Sequence, residues 1–287
     1  MKKINLILAG SGYMGNEIIE QLSEDKHSVS ITELSRSKKT RSSAIRSIQV
    51  DFDNIVENMP YIDDSTIIYM APPNSSTDKD IRIENFLHRV KKYKINRIIY
   101  ISTSGVYGNC NGERVSENKK VNPLTDRAKR RVDAEKQVTK FCDELNTRLI
   151  ILRVPGIYGK DRLPMKRINN AEPLIKIDES RTTNLIHVGD LCRIAIESIY
   201  IDIQDKEIIN ISDGTAIKTT EYYEEIYNAL EKELPLYITF DEALNSYGEK
   251  RLSFLKESRV LDTTKMARLF PNCIKYKLIK DGIKASL

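Results

Sequence analysis

The sequence has 287 residues, 40% hydrophobic and 30% charged, with a net charge of +5. That composition excludes a disordered chain, and no apolar run approaches the roughly 20 residues of a membrane span. Lysines and arginines are spread along the chain, so nothing gathers into a basic patch for nucleic acid. In chain order, Ile4–Ala9 reads as a first strand, its apolar run being too short for a secretory leader. Gly10-Ser11-Gly12-Tyr13-Met14-Gly15 follows at once and opens a helical pattern over Asn16–Ser23. Further strands are expected at Val29–Leu34, Ile48–Val50, Ile67–Ala71, Arg97–Ile101 and Arg148–Arg153, with helices at Asp80–Lys92 and Asp126–Leu145. Strand–helix–strand alternation of this kind predicts a parallel sheet with helices on both faces.

Beyond Tyr158-Gly159 the rhythm breaks. A polar segment, Lys160–Thr183, precedes an apolar stretch at Asn184–Val188, a helix from Asp190 to Tyr200 and a strand at Glu207–Ile211. A helical pattern over Thr220–Glu233 and the tail to Leu287 read as a smaller lobe. The expected division is 1–159 and 160–287, with Glu207–Ile211 returning to the main sheet and the lobes interleaved. The four cysteines, Cys110, Cys142, Cys192 and Cys273, form no C-x-x-C pair. Free thiols in a reducing, cytoplasmic compartment are expected. The three histidines, His27, His88 and His187, have no metal-ligand spacing, so no metal is expected.

The glycine run is a G-x-G-x-x-G placed between a strand and a helix, the context that a dinucleotide-binding turn requires. Gly10 permits the tight turn, Gly12 lets a pyrophosphate approach the backbone, and Gly15 lets helix and strand pack closely. Ser11, Tyr13 and Met14 complete the loop, and the helix N-terminus offers N–H groups and positive dipole to phosphate. The architecture implied is a Rossmann-type, doubly wound parallel sheet with a smaller C-terminal substrate lobe. Cofactor choice is read at the end of the second strand. Ser35 and Arg36, with Lys38 and Lys39 beyond, suit a 2′-phosphate and favour NADP(H) over NAD(H); Glu33 is the competing ribose acid if the strand ends earlier. Asp51 and Phe52 are placed to flank the adenine, and Ala71 and Pro72 follow the next strand as further cofactor contacts.

Several segments resemble the extended short-chain dehydrogenase/reductases, the epimerase/dehydratase relatives. They are Ile98–Gly108 (Ile-Ile-Tyr-Ile-Ser-Thr-Ser-Gly-Val-Tyr-Gly), Leu152–Gly159, Asn184–Leu191 and the tail from Arg259 to Ile283. The resemblance implies a Ser/Thr–Tyr–Lys site. The Ser/Thr place falls on Thr103, but the tyrosine place reads Arg127 and the lysine place Arg131. Arginine stays protonated and cannot act as a general base, so the chain resembles the atypical branch that lacks the tyrosine. Arg127 and Arg131 lie one helical turn apart. For Arg131 the compensation is either Glu135, one turn on, or an anion gripped in bidentate fashion; for Arg127 an anion is favoured. Lys129 and Arg130 read as surface charges. The proton donor is then sought first at Tyr107 and second at Tyr158. His187 reads as a hydrogen-bonded core residue and Asp190 as a helix N-cap.

The resulting expectation is an NADP(H)-binding oxidoreductase or redox-assisted epimerase for a small anionic metabolite or nucleotide-linked sugar. The rival is a non-catalytic NAD(P) sensor that kept the pocket and lost the acid. Neither membrane nor nucleic acid is an expected partner, and a homodimer is compatible with the reading.

Overall fold

The structure is a computed structural model and describes residues 4–24, 29–54, 59–74, 77–248 and 257–287. The strands, in chain order, are β1 (Ile4–Ala9), β2 (Val29–Ser35), β3 (Ile45–Gln49), β4 (Ser65–Tyr69), β5 (Ile95–Thr103), β6 (Arg114–Val115), β7 (Arg148–Val154), β8 (Gly156–Tyr158), β9 (Leu174–Ile175), β10 (Thr182–His187), β11 (Lys206–Asn210), β12 (Ala216–Lys218), β13 (Tyr237–Ile238) and β14 (Val260–Leu261). The helices are α1 (Tyr13–Glu24), α2 (Ile81–Val90), α3 (Asp126–Leu145), α4 (Met165–Asn169), α5 (Val188–Glu197), α6 (Thr219–Ala229), α7 (Phe240–Ser246), α8 (Thr264–Leu269) and α9 (Ile279–Lys284).

The chain divides into two compact units. One comprises Met1–Val106, Pro123–Arg153 and Cys192–Ile209; the other comprises Tyr107–Asn122, Val154–Leu191 and Asn210–Leu287.

The first unit is built on a seven-stranded sheet of order β11-β7-β5-β4-β1-β2-β3. The chain starts in the middle, winds out through β2 and β3, then returns to β4 and winds out the other way. The pairs β1–β2, β1–β4, β2–β3 and β4–β5 are parallel. This is the doubly wound Rossmann architecture, and its switch point lies between the carboxyl ends of β1 and β4, where such sheets bind ligands. Apolar runs explain the central strands: β4 is buried along its whole length, and β1 is buried from Leu6 onward. Tyr69, Phe52, Phe86 and Tyr100 pack as a chain of rings, with neighbouring centroids 5.0 to 6.0 Å apart.

Helix α3 begins where Thr125 caps it, Oγ1 accepting from Ala128 N, and ends on Asn146 in the left-handed region. Strand β3 occupies Ile45–Gln49 rather than Ile48–Val50. It is an edge strand whose Arg46, Ser47 and Gln49 are not buried, so an apolar run could not mark it. Helix α5 starts at Val188, two residues before the expected Asp190.

The second unit has a three-stranded sheet, β12-β10-β8, and two small two-stranded pairs, β13-β9 and β14-β6. Its core joins Tyr158, Leu163, Ile168, Leu174, Leu185, Ile226, Tyr227 and Ile283, so β8, α6 and α9 share one apolar cluster. No helix among the described residues is long and apolar enough to cross a membrane. Cys110, Cys142, Cys192 and Cys273 are buried and form no disulfide.

Candidate active site

The glycine loop turns at the sheet's switch point. Gly10 has φ +80°, and a Cβ on it would lie 2.5 Å from the backbone N of Ala71, which follows β4. Only glycine fits there. Gly10 N and Ser11 N both donate to Leu34 O, at 2.9 and 3.0 Å, closing the turn onto β2. Gly12 differs. A Cβ on Gly12 would meet nothing nearer than Gly10 O at 3.9 Å. The space above it is open, a cradle that a side chain would fill. Asn16 N donates to Gly12 O at 3.1 Å, and helix geometry leaves the N–H groups before it without an intrahelical acceptor. Bare backbone, open space and a helix start together fit a diphosphate. Gly15 makes room for the loop serine: its Cβ would fall 2.2 Å from Ser11 Oγ, with the Met70 side chain 3.7 Å away. Met14 is buried and Tyr13 half-buried.

Ser11 leads to Glu33. The serine Oγ donates to Glu33 Oε2 at 2.8 Å, and Arg41 donates from Nε to Oε1 at 2.7 Å and from Nη2 to Oε2 at 3.0 Å. Lys39 Nζ lies 3.5 Å from Oε2 and donates to Ser11 O at 2.8 Å. Both Lys39 and Arg41 also donate to Asn16 Oδ1. Glu33 is fully buried. Burial alone would raise its pKa, but the hydrogen bonds from Arg41, Ser11 and Ser47 and the Lys39 charge outweigh it and bring the carboxyl down to about 2. Ser35 Oγ donates to Ser37 O, and Arg36 is exposed, 3.9 Å from Asp53. Asp53 is gripped by Arg82 and Asn74, and Arg82 also donates to Pro72 O, tying the segment after β4 to the segment after β3. Asp51 and Pro72 are exposed. Phe52 is a correction: its ring is buried against Tyr69 and Phe86, so it cannot form a wall for adenine.

Thr103 ends β5 half-buried, its Oγ1 accepting from Gly105 N at 3.2 Å. Arg127 is exposed on the first turn of α3. Arg131 donates from Nη1 to Tyr100 OH and to Ile101 O, each at 3.0 Å. It is not compensated by Glu135, because that carboxylate is committed elsewhere: Arg153 Nη2 lies 2.8 Å from Oε2, and Ser102 Oγ donates to Oε1 at 2.6 Å. Lys129 pairs with Asp126 at the surface, whereas Arg130 is half-buried and donates to Thr77 O. Around Arg131 lies a buried polar group that sequence reading missed. Tyr69 and Tyr100 are fully buried, and so is Asp80, which caps α2 by accepting from Arg82 N and Ile83 N. Asp80 Oδ2 has no hydrogen-bond partner among the described residues. Burial pushes its carboxyl up to about 6, despite those two amide donors and the Arg131 charge.

A titration effect follows. Asp80 has an ordinary pKa of 3.8 and a raised folded value, so its contribution to stability is intact below about pH 4 and is lost as pH rises through 6. Asp80→Asn keeps the capping oxygen and removes the buried charge. It is expected to raise the melting temperature at pH 8, by an amount worth roughly 2 to 3 kcal/mol at most, and to leave pH 4 stability little changed. Asp213, also pushed to about 6 by burial, keeps part of the pH dependence in the variant. Melting curves across this range check the expectation; an Asp80→Asn protein that tracks the parent at every pH contradicts it.

In the second unit, both proton-donor candidates are structural. The Tyr107 hydroxyl donates to Asn210 Oδ1 at 2.7 Å and is 1% exposed. Tyr158 is equally buried, its hydroxyl packed where a Cβ on Gly282 would come within 2.2 Å, and burial pushes its pKa well above the ordinary value. His187 Nδ1 accepts from Gly189 N, and the ring lies between Tyr158 and Tyr276. Asp190 is not an N-cap. Its buried carboxylate accepts from Lys275 N and Tyr276 N and anchors that segment. No group of three His, Cys, Asp or Glu is placed to hold a metal among the described residues, and His27 lies outside them.

The match that decides the family runs through both the glycine loop and the Thr103 segment: residues 6–212 fit the model of the NAD dependent epimerase/dehydratase family. The chain belongs to that family. A Methanocaldococcus jannaschii protein assigned as a UDP-glucose 4-epimerase is 24% identical over 246 residues, covering 76% of this chain and 80% of the relative. Among solved structures, a conserved Silicibacter pomeroyi protein of unknown function superposes with a TM-score of 0.84 at 21% identity, covering 98% of this chain and 97% of that one. The UDP-glucuronic acid 4-epimerase of Bacillus cereus, solved with UDP-glucuronic acid and NAD, gives 0.78 at 16% identity, with 99% and 98% covered. The family's fold is present throughout, and its NAD-type loop is intact.

Proposed function

We propose that this member of the epimerase/dehydratase family binds NADP(H) in preference to NAD(H) and acts as an oxidoreductase or redox-assisted epimerase on a nucleotide-linked sugar or similar anionic metabolite. The observation that carries the reading is the open cradle above Gly12, beside a turn closed everywhere else. A bound nicotinamide dinucleotide supplies hydride chemistry; the residues of this chain bind, orient and hold it. Gly10 to Gly15 would take the diphosphate, and Asp51, Ala71 and Pro72 the adenosine side. Ser35 and Arg36, with the lysine-rich segment after them, favour a 2′-phosphate at the ribose. Thr103 offers a hydroxyl to a substrate oxygen. Arg131, fixed by Tyr100 and Ile101, stands in the place of the family's lysine as a permanent cation. Arg127, exposed one turn earlier, suits a carboxylate or phosphate of the substrate. The relatives that act on UDP-sugars support the substrate class.

The second reading, a cofactor-binding protein without turnover, is favoured by one specific observation. Neither Tyr107 nor Tyr158 offers an accessible phenol, and position 127 is an arginine, which gives up no proton at neutral pH. One experiment separates the two. Purified protein is titrated with NADPH and NADH by fluorescence, then incubated with NADP+ or NAD+ and a panel of UDP-sugars. Tighter NADPH binding with interconversion of a UDP-sugar supports the enzyme. Tight NADPH binding without any turnover supports the sensor, and tighter NADH binding overturns the cofactor preference.

A further inference from the structure

The acid two residues before the end of β2 is the one a ribose diol would need, and here it is closed to any ligand. Glu33 is fully buried and its carboxylate is occupied: Ser11 Oγ and Arg41 Nη2 donate to Oε2, Arg41 Nε donates to Oε1, and Ser47 adds a further hydrogen bond. A diol offers two hydroxyls to a carboxylate; it cannot displace a bidentate guanidinium held at 2.7 and 3.0 Å without stranding that cation. The charge count points the same way. Glu33 carries one negative charge against two positive ones on Lys39 and Arg41, and both cations reach the first turn of α1 through Asn16 Oδ1. The side chains of both are one-fifth exposed, so they are held firmly yet open to solvent on one side. Arg41 Nη1 makes no hydrogen bond to the described residues. The result is a surplus cation pinned beside the glycine loop by an internal anion.

From this we infer that Arg41, in the loop between β2 and β3, is the residue that distinguishes a 2′-phosphorylated adenosine from an unphosphorylated one, and that Glu33 is its positioning residue rather than a ribose ligand. The inference rests on the dinucleotide reading of the glycine loop and deepens it. Ser35 and Arg36 have lesser parts: Ser35 spends its hydroxyl on Ser37 O, and Arg36 is exposed beside Asp53. Arg41 instead has a fixed orientation, a spare nitrogen and a neighbouring ammonium. Those features suit a phosphate dianion, which accepts from several charged donors at once. The low pKa of Glu33 agrees with this arrangement, since the anchor stays ionised throughout the neutral range.

The test uses the full chain and two small probes that carry no nicotinamide, adenosine 2′,5′-bisphosphate and adenosine 5′-monophosphate, measured by calorimetric titration. The parent protein is expected to bind the bisphosphate roughly tenfold to a hundredfold more tightly, the range of one or two hydrogen bonds to a charged group. Arg41→Met is expected to bring the two affinities within about threefold of each other, mainly by weakening the bisphosphate, with Arg41→Lys intermediate because it keeps charge and loses the fork. Glu33→Gln is expected to reduce the bisphosphate preference without removing monophosphate binding. Melting curves of each variant show that the fold persists. Should Arg41→Met prove unstable, Arg41→Lys alone decides: a parent-like ratio in a folded Arg41→Lys protein overturns the assignment to the guanidinium. If the parent binds both probes equally, or if Glu33→Gln selectively destroys monophosphate and NADH binding, Glu33 is the ribose ligand and the inference fails. If the parent binds neither probe and no dinucleotide either, the glycine-loop reading fails first and takes the inference with it.

Discussion

Replacing Gly12 with valine is expected to abolish dinucleotide binding while leaving the melting temperature close to that of the parent. A Cβ at this position meets nothing nearer than Gly10 O at 3.9 Å beyond its chain neighbours, so the fold has room for a small side chain. The same space is where a diphosphate would have to sit to reach the amides at the start of α1. Each charge-assisted hydrogen bond lost is worth about 1.5 to 3 kcal/mol, so losing two or more weakens binding by at least about a hundredfold. Fluorescence titration with NADPH and NADH reads the affinity, and a thermal melt reads the fold. Gly10 is no substitute for this test, since its positive φ and its 2.5 Å approach to Ala71 would bring the turn itself down. A Gly12→Val protein that binds either dinucleotide like the parent would remove the physical basis of the cofactor site.

The second large effect concerns stability. Glu135→Ala is expected to destabilise the protein by about 3 to 5 kcal/mol, because it leaves the buried Arg153 guanidinium without its carboxylate. Ser102 also loses the acceptor for its hydroxyl, which lies 2.6 Å from Oε1. For a protein of this size the loss corresponds to a fall in melting temperature on the order of 10 °C. Glu135→Gln retains an acceptor for Ser102 and should fall between. The cost has a functional side. Ser102 lies on β5, Glu135 on α3 and Arg153 on β7, so this buried triad fixes the rotation of the helix that carries Arg127 and Arg131. A Glu135→Ala protein with an unchanged melting temperature would show that the pair contributes nothing to that placement.

The sheet and its glycine turn were legible because their signals are local. Six consecutive residues carry the loop, and buried central strands read as apolar runs. The site's electrostatics were not, because the partners lie far apart in the chain. Glu135 has an arginine one turn before it, yet it answers Arg153, eighteen residues later on another element. The signal was there: a charged residue near the end of Arg-Leu-Ile-Ile-Leu-Arg-Val must find a buried counter-ion. Arg41 lies in a polar loop, eight residues past the acid that it binds, and no local pattern marks it. The pairing of Tyr100 with Arg131 hides for a different reason, since a tyrosine inside an apolar strand reads as packing alone. Tyr107 and Tyr158 stand beside family motifs, and position in a motif says nothing about whether a hydroxyl is buried.

The strand order has a consequence for how the polypeptide acquires its shape during synthesis. Strand β1 is a central one and leaves the ribosome with both edges unsatisfied until residues 29–35 and 65–69 have emerged to flank it. The outermost strand on one side, β11, comes from residues 206–210, long after its neighbour β7 has been made. Through that interval the growing sheet exposes a row of unpaired amides beside apolar side chains, the arrangement most prone to pairing with another nascent chain. Folding of this protein is therefore a race between the arrival of its own late strand and capture by a neighbour, and dilute conditions favour the former.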